Sequence, residues 1–166
     1  MTHEPQRLSE EHSFDFFECG EETLDAWART HALIDQQQGK SATHVWTDEG
    51  GVYVVAYFTL LPTVTRADDG WFAAIKPRRY QGRELPGVLL GKIALDSSLR
   101  GQGLGIDLLA DAILTASDAM LLIGGIHVVI DPMPGRPGLR DWYRAAGFQE
   151  IDGTDRMYLT IRGRTR

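Results

Sequence analysis

The sequence predicts an α+β fold in which a mixed, mostly antiparallel sheet is flanked by helices. Three observations carry that expectation. Strand-like stretches come as hairpin pairs early and late in the chain, a strand–loop–helix–strand unit separates them, and helical periodicity is confined to three stretches. At 166 residues the chain has the length of one domain, and 43% apolar with 24% charged residues is an ordinary globular mixture. Cys19, the single cysteine, excludes an internal disulfide framework and any multi-cysteine zinc site. No apolar run approaches the ~18 residues of a membrane span, and a soluble, cytoplasmic protein is expected. The net charge of -6 argues against a generally basic nucleic-acid coat and leaves local basic patches open.

The first helix is expected from Glu21 onward. Leu24, Trp27, Ala28, His31 and Ile34 recur at helical spacing, Glu21, Glu22 and Asp25 suit the positive end of the dipole, and Gly39 is a stop. A hairpin follows: Ala42 to Thr47, the turn Asp48-Glu49-Gly50-Gly51, then Val52 to Leu61, closed by Pro62. Residues 66–87, with Pro77 and Pro86, read as an irregular excursion. Val88 to Leu95 reads as a buried strand, apolar on both faces apart from Gly91 and Lys92. A second helix over Ile106 to Leu122 places Leu108, Leu109, Ala112, Ile113 and Ala116 on one face and ends at Gly124-Gly125. Ile126 to Ile130 is a short strand, Asp131 to Pro137 a proline-rich loop, and Leu139 to Ala146 a third helix stopped by Gly147. Phe148 to Ile151 and Met157 to Ile161 form the last hairpin across Asp152-Gly153.

Chemistry concentrates in Arg100-Gly101-Gln102-Gly103-Leu104-Gly105, which follows a strand and opens a helix. Glycines let backbone N–H groups converge, and the helix N-terminus adds partial positive charge, so a phosphate or diphosphate fits there. On spacing alone the same residues also describe a bare strand-to-helix turn. The dinucleotide fingerprint needs a glycine where Ile106 stands. Gly39-Lys40-Ser41 is not a P-loop, because Ile34 occupies the place of the first glycine.

The run Leu90-Gly91-Lys92-Ile93-Ala94-Leu95-Asp96 with the glycine loop resembles motif A of the GCN5-related N-acetyltransferases, and Trp142-Tyr143-Arg144-Ala145-Ala146-Gly147-Phe148 resembles their motif B. Phe17-Glu18-Cys19-Gly20, Leu24-Asp25-Ala26-Trp27 and Gln38-Gly39-Lys40-Ser41-Ala42-Thr43 further resemble the N-acetyltransferase toxins of bacterial toxin–antitoxin pairs. The resemblance implies a sheet splayed between two parallel strands to hold acetyl-CoA. The thioester arm would lie along Ile93, Ala94 and Leu95, with the pyrophosphate on Arg100, Gly101, Gln102, Gly103, Leu104 and Gly105. It implies Tyr143 as the acid toward the leaving thiolate, the α-amino group of aminoacyl-tRNA as acceptor, a ribbon-helix-helix antitoxin as partner, and a homodimer as a possible assembly.

The residues themselves lean the same way. Val88 to Leu95 carries no carboxylate to serve as base. A lysine amine near pKa ~10.4 needs a base at neutral pH far more than an α-amine near ~7.7–8.0. Lys76, Arg78, Arg79 and Arg83 lie within eight residues without an acid, a composition suited to phosphate backbones. Tyr80 among them offers a ring for stacking, and Arg162, Arg164 and Arg166 form a second basic run. No histidine pair falls at metal-ligand spacing, and His127 reads as a satisfied core histidine. Tyr143 also reads as a core aromatic beside Trp142 and Phe148. Two other functions share these motifs: acetylation of a small amine or a protein N-terminus, and a non-catalytic acyl-CoA-binding module.

Overall fold

A computed structural model describes residues 3–161. Its strands follow the order β1-β2-β3-β4-β5-β7-β6 in a seven-stranded sheet: β1 (Gln6–Arg7), β2 (Ala42–Thr47), β3 (Val54–Arg66), β4 (Glu84–Leu95), β5 (His127–Ile130), β6 (Gln149–Glu150) and β7 (Met157–Thr160). The helices are α1 (Glu22–Thr30), α2 (Ala32–Gln37), α3 (Phe72–Ile75), α4 (Leu104–Ile123) and α5 (Pro137–Ala145), with a 3₁₀ turn at Ser97–Leu99. The β1/β2, β2/β3, β5/β7 and β6/β7 pairs are antiparallel, and β4/β5 is parallel, with Gly87 to Leu90 opposite His127 to Ile130. The expected mixed, mostly antiparallel sheet is therefore present. Among the described residues no helix is long and apolar enough to cross a membrane.

The chain divides into two compact units. One runs up to Leu61 and takes in Gly91–Ile113; the other takes in Pro62–Leu90 and the chain from Leu114 onward. The core of the first gathers Phe14, Phe17, Ala28, Ala32, Val45 and Tyr57, with Phe14 and Phe17 edge-on to the Tyr57 ring at 5.6 and 5.4 Å. The second has a cluster of Phe72, Ile75, Leu85 and Ile151.

Four expectations need correction. The first helix is two. Thr30 Oγ1 donates back to the Ala26 carbonyl at 2.7 Å, a bond that bends helices, and His31 leaves the helical region at φ -126°. The buried seam is Asp25, Ala28, Ala32 and Asp35, one position round from the expected stripe, so Ile34 is exposed. Pro62 does not end its strand: β3 continues to Arg66, because the ladder to β2 stops at Leu60–Ala42 and the missing N–H interrupts no bond there. Residues 66–87 are not wholly irregular, since α3 lies within them and β4 begins at Glu84. Nor is β4 buried throughout: Leu85, Val88, Leu90 and Ala94 are buried, while the apolar Leu89, Ile93 and Leu95 are only half-buried.

Candidate active site

The glycine loop is set by the strand before it. The β5 pairing ends at Leu90–Ile130, so β4 continues through Ile93, Ala94 and Leu95 with no β5 residue opposite and, among the described residues, one backbone edge without a strand partner. Asp96 then turns the chain. Its carboxylate accepts from Ser98 N and Ser98 Oγ at 2.9 and 2.6 Å and from Glu18 N at 2.9 Å. Burial pushes this carboxyl up, but those hydrogen bonds outweigh it and hold the group below the usual carboxylate range. Asp96 is thus the turn's cap, with both carboxylate oxygens engaged.

Gly101 and Gly103 adopt φ of +75° and +79°, and nothing lies within 4 Å of a Cβ built at either. Backbone conformation rather than crowding requires glycine there. Gln102 is exposed and reaches Ser98 O at 3.4 Å. Leu104 and Gly105 open the 20-residue helix α4, whose first N–H groups lack intrahelical acceptors and carry the positive end of the dipole. The loop therefore presents open amides and partial positive charge, the chemistry a diphosphate requires. Arg100 uses its guanidinium elsewhere, on the carbonyl of Cys19. Burial, with Asp25 adjacent, pushes the Cys19 thiol up to about 12, which removes it as a nucleophile.

Tyr143 belongs to the second unit. It lies on α5, 5% exposed, with the Trp142 and Phe148 rings at 4.9 and 5.7 Å. Burial pushes its phenol up to about 12, so it stays a neutral donor at physiological pH. Among the described residues nothing bonds its hydroxyl. The ring packs the core, and the hydroxyl keeps its proton.

Lys76, Arg78, Arg79 and Arg83, between α3 and β4, are all exposed and form no ion pair among the described residues. Arg83 and Tyr80 line an open groove of about 650 Å³. Tyr80 is less free than its sequence context suggests, because its ring packs on the Phe72–Ile75 cluster and its hydroxyl donates to Glu84 O. Arg162, Arg164 and Arg166 lie outside the described residues. The β4 extension brings in Glu84, but that carboxylate is exposed and pairs with Arg66 at 3.5 Å. His127 is held on one side: Nδ1 meets Thr160 Oγ1 at 3.3 Å, while Nε2 is buried with no well-formed hydrogen bond among the described residues, the Ile75 backbone being a polar influence on the ring. Sequence reasoning missed Lys92, whose ammonium sits 4.3 Å over the Trp27 ring and whose pKa burial lowers. Its signal was a charged residue inside an apolar strand.

Over 158 residues the chain is 32% identical to a tRNA-acetylating toxin of Mycobacterium tuberculosis, spanning 95% of this chain and 90% of that one. Its fold matches that of AtaT complexed with acetyl-methionyl-tRNAfMet at TM-score 0.83 and 21% identity, over 96% of this chain and 95% of that one. It matches AtaTR bound with AcCoA at TM-score 0.78 and 23% identity, over 95% and 92% of the two chains. No family model matches the chain. The strand order, the parallel β4/β5 pair and the glycine loop at the head of α4 are those of a GCN5-related N-acetyltransferase fold. Within that class the chain belongs to the family of tRNA-acetylating toxins.

Proposed function

We propose that the protein, acting as one N-acetyltransferase domain in the cytoplasm, moves the acetyl group of acetyl-CoA onto the α-amino group of aminoacyl-tRNA and so stops translation. The observation that carries this reading is the 32% identity, over 95% of the chain, to a toxin named for acetylating tRNA. The glycine loop supports the donor assignment: Gly101, Gly103 and the first amides of α4 would hold the pyrophosphate, and the free backbone edge of Ile93, Ala94 and Leu95 would hold the thioester arm. The amine attacks the thioester carbonyl, the C–N bond forms and the C–S bond breaks. The Tyr143 hydroxyl donates to the departing thiolate, and the nitrogen releases its proton to water. No carboxylate on Val88 to Leu95 stands ready as base, which suits an α-amine that is substantially neutral near pH ~7.7–8.0. Lys76, Arg78, Arg79 and Arg83 would meet tRNA phosphates. Solved structures similar in fold include AtaT bound to the C-terminus of the antitoxin AtaR, and an antitoxin is the partner proposed for this chain.

The test incubates purified protein with radiolabelled acetyl-CoA and charged total tRNA beside deacylated tRNA. Label confined to the charged sample and released by mild base as acetyl-amino acid is the expected result. Transfer to a polyamine or a peptide N-terminus, with none to charged tRNA, overturns the acceptor assignment.

A further inference from the structure

The Phe17–Gly20 segment has no role in the reaction described above, yet it is the most tightly held stretch beside the glycine loop. All six backbone polar groups of Phe17, Glu18 and Cys19 are bonded. Phe17 N donates to Phe14 O at 3.0 Å, and Phe17 O accepts from Arg29 at 2.6 Å. Glu18 N donates to Asp96 Oδ2 and Glu18 O accepts from Ser97 N, both at 2.9 Å. Cys19 N donates to Asp25 Oδ1 at 2.9 Å, and Cys19 O accepts from the Arg100 guanidinium. Three of these six bonds therefore end on the turn Asp96–Arg100, immediately before Gly101. Gly20 completes the arrangement. At φ +81° a Cβ there would stand 3.0 Å from Arg100 Nη2, so a side chain would press on the guanidinium.

We infer that Phe17–Gly20 is a brace that fixes the glycine loop for acetyl-CoA, and that Asp25, Asp96 and Arg100 are positioning residues acting through it. This rests on the proposed role of the loop. Two of the groups involved are carboxylates buried to 2% and 8% exposure, Asp25 and Asp96. Burying charge is unfavourable unless hydrogen bonds compensate, and here the bonds all go to one short backbone segment and one turn. A loop whose amides already point correctly binds its anion without first losing conformational freedom. Arg100 thereby differs from the role its motif suggests: its charge is used on the Cys19 carbonyl, one step removed from the ligand.

Gly20→Ala and Arg100→Met would be compared with Arg100→Lys, which keeps a donor, and with Gly39→Ala, a distant glycine of similar φ (+73°) with open space around it. Amide hydrogen exchange over residues 97–105 of the free protein is expected to quicken in Gly20→Ala and Arg100→Met. Their Kd and KM for acetyl-CoA are expected to rise about tenfold, the size of losing one charge-assisted hydrogen bond, with the acceptor KM held. Arg100→Lys should recover most of the loss, and Gly39→Ala should lower the melting temperature alone. Unchanged exchange and affinity in Gly20→Ala would overturn the brace. A rise in Kd in Arg100→Met without one in Gly20→Ala would make Arg100 a direct ligand instead. A wild-type protein that binds no acetyl-CoA would refute the proposed function, while the exchange measurement still decides the brace.

Discussion

The unit that carries the glycine loop and the unit that carries Tyr143 use their polar groups in different ways. In the first, most of the buried carboxylates, and two arginines beside them, are bonded to backbone: Asp96 to Glu18 and Ser98, Asp25 to Cys19, Arg29 to Phe17, Arg100 to Cys19, with Asp35 paired to Lys40 as the exception. In the second, charges pair with charges nearer the surface, as Arg140 and Arg144 do with Glu150 and Arg156 with Asp131, and the four cations of the basic loop form no ion pair among the described residues. Exposed ion pairs contribute little to stability, typically ~0–1 kcal/mol, whereas a buried carboxylate that loses its partners is costly. The difference matches the two substrates proposed. Acetyl-CoA presents the same groups every time and can be met by fixed backbone. A nucleic acid is met by long, mobile, hydrated cations that tolerate variation.

The largest expected effect lies in the second unit. Tyr143→Phe keeps the ring among Trp142 and Phe148 and removes only the hydroxyl, so kcat should fall by ~10²–10⁴ with acetyl-CoA affinity unchanged. Stopped-flow or steady-state acetyl transfer decides it. A wild-type rate would leave Tyr143 as a packing residue and erase the functional contrast between the units.

A smaller effect is expected at the basic loop. Replacing Lys76, Arg78, Arg79 and Arg83 together by Gln should weaken tRNA binding and flatten the plot of log affinity against log salt by ~0.7–0.9 per lost phosphate contact. Acetyl-CoA affinity should hold, because the glycine loop belongs to the other unit. Filter binding across a salt series reads the slope; an unchanged slope would mean that the loop's charges meet no phosphate.

The smallest effect concerns stability in acid, with one histidine in each unit. Burial lowers the pKa of His44 from 6.5 to about 4, with Arg7 adding to it, and burial also lowers that of His127, partly offset by the Ile75 backbone. A base whose folded pKa is depressed is protonated first in the unfolded chain. Stability is therefore complete above pH 6.5, the unfolded value, and declines as pH falls below it toward the folded pKa. Melting temperatures from pH 7 to 5 should slope less steeply in His44→Asn and in His127→Asn than in wild type. Parallel slopes in all three proteins would show that neither imidazole is buried in its neutral form.

How much of this could be read from the chain alone differs by element. The glycine loop and α4 were legible because their signals are local: a glycine needed for φ, a strand before it, a long apolar stripe after it. The hairpin β2/β3 was legible for the same reason. The break at His31 was not, since it turns on one threonine hydroxyl bonding back to Ala26. The passage of β3 through Pro62 depends on where its partner strand stops, which no local pattern states. The extension of β4 back to Glu84 was hidden by Pro86, whose carbonyl nonetheless accepts from Ile126 N at 2.8 Å. At the site, residue types predicted the groups but not their partners. The arginine of the motif was visible, whereas its bond to a carbonyl 81 positions away was not.

The placement of β7 has a consequence for synthesis. It is the last strand described, yet in the sheet order it stands between β5 and β6, bonded to His127–Ile130 on one side and to Gln149–Glu150 on the other. A ribosome extends the chain at ~5–20 residues per second from the N-terminus, so β5 and β6 emerge before the strand that joins them. Until Thr160 has been added, β5 keeps an unpaired edge and β6, only two residues long, has no sheet to join. An enzyme proposed to modify the substrates of translation thus joins β5 to β6 only after Thr160 has been made. Any chain released before residue 157 lacks the strand that completes it.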